Sequence, residues 1–163
     1  MTPARVTITL PIFAIDPGCD ESAYVRYHDG RVLEHGKCPN DDMLDVTSTY
    51  PCEEVVIERI ASYGMAVGAE VFETCVWSGR FMEAARRAGL QVHRLYRRDV
   101  KLYLCQSPRA KDANVRQALI DRYGGKAAAI GTKKSPGPLY GVKADVWAAL
   151  AVAVCHADGV RSK

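Results

Sequence analysis

The sequence predicts an α/β fold: a five-stranded mixed sheet, an antiparallel meander plus two parallel strands, with helices on both faces. Three observations carry this. Short apolar stretches near the N-terminus include two joined by Asp29-Gly30, a two-residue hairpin signal. The runs "EEVVIERI" and "LQVHRLY" bracket a long segment of helical periodicity, the signature of a crossover between parallel strands. The segment "ADVWAALAVAVCHAD" holds ten consecutive apolar residues, Val146 to Cys155, and a helix apolar all round is a buried one.

Taken in order, Val6 to Ile15 alternates and then becomes uniformly apolar; Pro11 lacks a ladder donor, so the central part of the strand starts after it. Ala23 to Tyr27 and Arg31 to His35 complete the meander. Residues Gly36 to Cys52 are polar and read as a loop or short helix. Glu54 to Ile60 is the fourth strand, rich in β-branched residues. From Val67 to Ala88 the stripe Val67, Val71, Cys75, Ser78, Met82, Ala85 is helical, and Gly89 closes it. Leu90 to Tyr96 is the fifth strand. "RRDVKLYLC" reads as a short helix. "SPRAKDANVRQALIDRYG" reads as another, with Ser107 at the N-cap and Pro108 at the first helical position. "GTKKSPGPLYG" is a basic Gly/Pro loop before the final helix.

The 163 residues suit one domain, 1–163, and the apolar and charged fractions of 48% and 25% are ordinary for a globular chain. No apolar run approaches the roughly 20 residues of a membrane span, and Met1 to Val6 has no signal-like organisation. A cytoplasmic protein without membrane partners is expected. None of the six cysteines forms a C-x-x-C pair and the four histidines are scattered, so spacing indicates no zinc site; Cys75 and Cys155 sit in apolar patterns and read as core residues.

The net charge of +3 conceals an asymmetry. Residues 1–79 hold 5 Lys/Arg against 13 Asp/Glu, whereas residues 80–143 hold 15 against 4. A basic segment of this kind favours a polyanion partner, because Lys and Arg displace counterions from phosphates.

Three carboxylates stand where apolar residues would cost less. Asp16 ends the apolar run of "IFAIDPG", Glu58 interrupts "VVIERI", and Asp145 opens the most apolar helix. An ionised carboxylate withdrawn from water is costly unless paired or metal-bound. Each has a plainer reading: Asp16 as the start of an Asp-Pro-Gly turn, Glu58 as the partner of Arg59 or Arg5, Asp145 as a helix cap. If the first and fourth strands are parallel neighbours, all three instead converge at one sheet edge. There Mg²⁺ would remove their repulsion and serve phosphodiester hydrolysis.

The motifs "AIDPG" (Ala14 to Gly18), "VVIERI" (Val55 to Ile60), "VK" (Val100-Lys101) with "AKDANVR" (Ala110 to Arg116), and "ADVWAALAVAVCH" (Ala144 to His156) together resemble the RuvC family of Holliday-junction resolvases, of ribonuclease H-like fold. The wording of "AKDANVRQALIDRYG" is similar to phage-encoded members, which would place the protein in a host cytoplasm. The resemblance implies a homodimeric endonuclease that nicks four-way DNA junctions symmetrically with Mg²⁺ or Mn²⁺, two active sites being related by a two-fold axis. It implies Asp16, Glu58 and Asp145 as metal ligands, and Lys101 and Lys111 as catalytic basic residues near the scissile phosphate. Lys111, one turn before Val115, is expected to point at the sheet edge. The resemblance implies a junction-opening apolar or aromatic side chain just after the fourth strand; Tyr63 is the nearest aromatic to that place, and an ordinary loop tyrosine is its plainer reading. Arg97, Arg98, Arg109, Lys133 and Lys134 are the expected phosphate contacts. The family carries a second acid three residues into the last helix; here that position is Ala148, which leaves the number of metal ions open. The Val67–Ala88 helix, with Trp77 and Phe81 expected on its exposed side, is the candidate dimer interface. Two other classes remain open on the residues alone: a ribonuclease H-like nuclease acting on other branched DNA or RNA–DNA hybrid, and a DNA-binding protein that does not cut. A two-lobed actin-like ATPase would need about 300 residues and is disfavoured.

Overall fold

The computed structural model describes residues 9–163, so the first residues of the strand expected from Val6, and Arg5 as a partner for Glu58, lie outside the described residues. Five strands form one sheet: β1 (Ile12–Asp16), β2 (Glu21–His28), β3 (Arg31–Pro39), β4 (Glu54–Arg59) and β5 (Gln91–Tyr96), in the order β3-β2-β1-β4-β5. β1 and β2, and β2 and β3, pair antiparallel; β4 runs parallel to both β1 and β5. Asp29 and Gly30 turn the β2–β3 hairpin with φ of 47° and 77°, the paired positive values of a type I′ turn.

Because β1 and β4 are central, both their faces are buried, and alternation sorts their residues between two apolar clusters. Phe13, Ile15, Val55 and Ile57 join Met43 of α1 (Asn40–Thr49) and Phe81 and Ala85 of α2 (Ala69–Arg87) on one side. Ala14, Val56 and Leu95 join Leu150 and Val154 of α6 (Val146–Ala157) on the other. α3 (Arg97–Cys105), α4 (Asp112–Arg122) and α5 (Lys126–Ala129) extend that second layer through Val100, Val115, Leu119 and Ala129. Helices on both faces of a mixed sheet are what the sequence predicts.

Several local expectations are corrected. β3 runs past His35 to Pro39, whereas the polar stretch after it takes the short-helix alternative as the ten-residue α1. α2 buries Ser78 and Ala85 of the expected stripe together with Phe81, but Cys75 of that stripe is exposed; its first turns carry Phe72 and Val76 into solvent. α4 starts at Asp112 rather than at Pro108. The reason is local: Gln106 takes a left-handed conformation that ends α3, and Asn114 Oδ1 accepts the Lys111 N–H at 2.9 Å, which starts the helix one turn later. Among the described residues no helix is long and apolar enough to cross a membrane.

Candidate metal centre and nucleic-acid interface

Parallel register places the first two acids. Ile15 pairs with Ile57, so Asp16 and Glu58 follow side by side at the carboxyl edge of the sheet. Ala14 and Val56 face α6, and the period of two puts Asp16 and Glu58 on the same face. The chain after Asp16 is locked by packing as well as by turn chemistry. A Cβ on Gly18 would stand 2.2 Å from the Glu21 carbonyl oxygen, so only glycine fits. The Gly18 N–H donates to Ser22 Oγ at 3.1 Å, and the Asn40 amide donates to the Gly18 carbonyl at 3.0 Å. Ser22 in turn donates to Asn40 Oδ1 at 2.6 Å inside the protein. These bonds fix the turn on which Asp16 sits.

Asp145 comes from the third direction, immediately before α6, with Ala144 at φ 48° ahead of it. Its side chain makes no capping bond; it accepts from Lys37 Nζ of β3 at 2.8 Å. Glu58 is 5% exposed and pairs with Arg97 at 3.1 Å, while Arg59 stacks on Tyr96 with its guanidinium 4.4 Å from the ring centroid. Asp145 therefore does not cap the helix through its side chain, and Arg59 does not pair with Glu58.

Asp16, Glu58 and Asp145 line one cavity of about 100 Å³, with Asp112, Arg97 and Lys101. Val115, Trp147 and Ala148 form its apolar wall. That volume holds a few waters, or a cation with part of its water shell. Burial pushes the Asp16 carboxyl well above the usual range, and a hydrogen bond with Glu58 and the Glu58 charge push it further. Asp145 adds to this and Arg97 opposes it. Arg97 is itself half-buried; its charge is secured by Glu58 and by Asp112, whose Oδ1 lies 2.7 Å away. The hydrogen bond from Arg97 holds the Asp112 carboxyl below its ordinary range. Lys101 reaches the same Asp112 oxygen at 3.3 Å.

Lys111 departs from its expected place. It stands exposed at the start of α4 and does not line the cavity; its neighbour Asp112, also exposed, borders the cavity instead. Lys37, Ser22 and Asn40 carried no sequence signal, since each acts through a partner distant in the chain. Asp112 lies within the quoted AKDANVR run and lines the same cavity as Ala148, where the expected second acid is missing.

A second cleft adjoins the first, sharing Arg97 and Lys101 with it and adding Tyr63, Arg98, Pro108 and Arg109. Four of the expected DNA contacts thus lie together beside the acids. Tyr63 is 50% exposed, at φ 50°, and its hydroxyl accepts the Arg98 N–H at 3.4 Å. Lys133 and Lys134 are exposed on the loop before α6 and line neither cleft.

No family model matches the chain, and no curated protein matches it. Among solved structures the chain is similar to that of Thermus thermophilus RuvC, with 20% identity and a TM-score of 0.64 over 91% of this chain and 93% of that one. It is also similar to T. thermophilus RuvC in complex with a Holliday junction substrate, with 19% identity and a TM-score of 0.61 over 91% and 92% of the two chains. The likeness shows the fold, which is ribonuclease H-like.

Proposed function

We propose that the protein is a metal-dependent endonuclease that cuts four-way DNA junctions. The observation that carries this reading is the convergence of Asp16, Glu58 and Asp145 on one cavity, with a basic and aromatic cleft opening beside it. The solved complex of T. thermophilus RuvC with a Holliday junction substrate, on the same fold, supports the choice of DNA. The donor set is all carboxylate oxygen, which suits Mg²⁺ or Mn²⁺. Burial and the neighbouring carboxylates raise the Asp16 pKa, and a bound divalent cation would offset both. Asp16, Glu58 and Asp145 would hold such an ion, with Asp112 as a fourth carboxylate from α4 where Ala148 offers none. Its chemistry there is activation of water and stabilisation of the leaving oxygen. Lys101 is positioned to contact the phosphate, Arg97, Arg98 and Arg109 to bind the flanking backbone, and Tyr63 to stack on an unpaired base, which stabilises by about 1–3 kcal/mol.

The test compares a four-way junction, a flap, an RNA–DNA hybrid and linear duplex, each with Mg²⁺ and with EDTA. Junction cleavage that is symmetric, metal-dependent and faster than cutting of the other three is expected. Equal cutting of junction and linear duplex would remove the resolvase assignment and leave a nuclease; binding without cutting under any metal would leave a DNA-binding protein.

Symmetric nicking needs two sites, hence a homodimer. Phe81 is buried and Trp77 half-buried, so neither supplies the interface expected of them. The large exposed apolar side chains of α2 are Phe72 and Val76, 65% and 55% exposed, and these are the proposed contact. Light scattering should give twice the chain mass for the wild type. Phe72→Glu should give a monomer that nicks a junction on one strand at a time; a dimer that survives the change would move the interface elsewhere.

A further inference from the structure

We propose that Glu54, His93 and His156 form a second cation site, of the kind that takes Zn²⁺ or a similar transition metal, at the opposite end of the sheet from the acidic cavity. The three residues come from three elements: Glu54 opens β4, His93 lies in β5 and His156 is in the last turn of α6. Their ligand atoms all lie within 4.8 Å of one another. Glu54 and Glu58 are four residues apart on one strand, about 13 Å, and Asp145 and His156 are eleven positions apart along α6, about 16 Å. The two clusters are therefore separate.

The three donors lie near enough to share one small ion after side-chain adjustment. Ligand bonds of about 2.0–2.2 Å put neighbouring donor atoms about 3.3 Å apart. Here His156 Nε2 stands 2.7 Å from one Glu54 oxygen and His93 Nε2 stands 3.8 Å from the other. The two oxygens belong to one carboxylate, so rotation of the Glu54 and His93 side chains would bring both nitrogens around a single ion. The imidazole rings lie with centroids 4.6 Å apart and tilted by 42°.

A hydrogen bond between Glu54 and His156 does not account for the whole cluster. His93 Nε2 is shut off from solvent and has no hydrogen-bonding partner among the described residues. A buried polar atom without a partner is costly, and such atoms mark places where an ion or water completes the structure. The nearby Arg161 is occupied elsewhere, donating to the carbonyls of His156 and Val160. Two imidazoles and one carboxylate are the donors of zinc-type sites, whereas Mg²⁺ prefers oxygen throughout. Glu54 also borders an open cleft with Tyr27 and Asp158, which gives an entry path. Such an ion would staple the end of α6 to the strands beneath it.

The test uses the full-length protein, stripped with chelator and then supplied with millimolar Mg²⁺ to occupy the acidic cavity. Co²⁺ serves as the spectroscopic probe. One Co²⁺ per chain is expected, with the intense visible bands of low coordination and no thiolate charge-transfer band, and Zn²⁺ should displace it and raise the melting temperature. His93→Gln and Glu54→Gln, each checked for native circular dichroism, should weaken binding by at least about 10-fold, and Asp16→Asn should leave it unchanged. Absence of Co²⁺ binding by the wild type, a thiolate band, or full affinity in both His93→Gln and Glu54→Gln would overturn the proposal. So would a signal abolished by Asp16→Asn, which would place the ion among the catalytic acids. None of these readings depends on cleavage, so failure of the nuclease assignment is distinguishable from failure of this one.

Discussion

Asp16→Asn should abolish cleavage, leave junction affinity within a few-fold of wild type, and make the metal-free protein more stable. Losing an outer partner of a metal ligand costs about 10–100-fold in affinity or activity, so losing a ligand should cost more than about 100-fold. Binding should survive because the residues proposed to grip DNA, Tyr63, Arg98 and Arg109, lie in the adjoining cleft. The gain in stability follows from charge. Burial makes ionisation of Asp16 costly, and the neighbouring Glu58 and Asp145 make it more so. An asparagine keeps the hydrogen bond to Glu58 and removes the repulsion. In a domain of this size each kcal/mol relieved raises the melting temperature by about 2–4 °C.

The same residue gives the pH dependence a sign. A raised folded pKa means that the folded chain holds a proton the unfolded chain has already released. The Asp16 contribution to stability is therefore lost as pH rises from the ordinary aspartate range to the raised folded value, and it stays lost above. Metal-free wild type should show that decline in thermal melts, Asp16→Asn should lack it, and Mg²⁺ should restore most of the loss at neutral pH. Persistent nicking by Asp16→Asn would show that the acids are assigned wrongly, and a variant less stable than wild type at neutral pH would show that they do not repel as described.

The parts of this arrangement legible in the sequence are those set by local rules. Strand alternation, the Asp29-Gly30 turn and the apolar run of the last helix give the sheet, its two faces and α6. Strand order then brings Asp16 and Glu58 together, because a parallel β1–β4 pair leaves them adjacent. What the sequence conceals is set by tertiary contact. Periodicity assigns α2 the face through Cys75, yet only its second half packs on the sheet, so Phe81 is inside and Phe72 outside. The start of α4 depends on Asn114 overriding the Ser107-Pro108 signal, and Asp112 rather than Lys111 borders the cavity. The partners of Glu58 and Asp145, Arg97 and Lys37, lie 39 and 108 residues away. The cluster of Glu54, His93 and His156 is hidden in the same way, since ligand spacing rules look for donors close together in the chain.

Leu150→Ala should destabilise the protein by about 2–5 kcal/mol, the range for removing a buried leucine side chain and leaving a cavity. Leu150 is fully buried at the middle of α6, in the cluster that α6 forms with β1, β2 and β4. At about 2–4 °C per kcal/mol the melting temperature should fall by roughly 4–20 °C, a large share of the stability of an ordinary domain. The functional consequence follows from what the two ends of this helix carry. Asp145 precedes its first turn and His156 lies in its last, so loosening the middle frees both from the sheet. Cleavage by Leu150→Ala should be near wild type well below its melting temperature and vanish several degrees sooner on warming. Leu150→Met, which conserves volume, should cost less than about 1.5 kcal/mol and keep both properties. A melting temperature unchanged by Leu150→Ala would mean that α6 is not the central element of the core, and the delivery of Asp145 to the acidic cavity would then lack its mechanical basis.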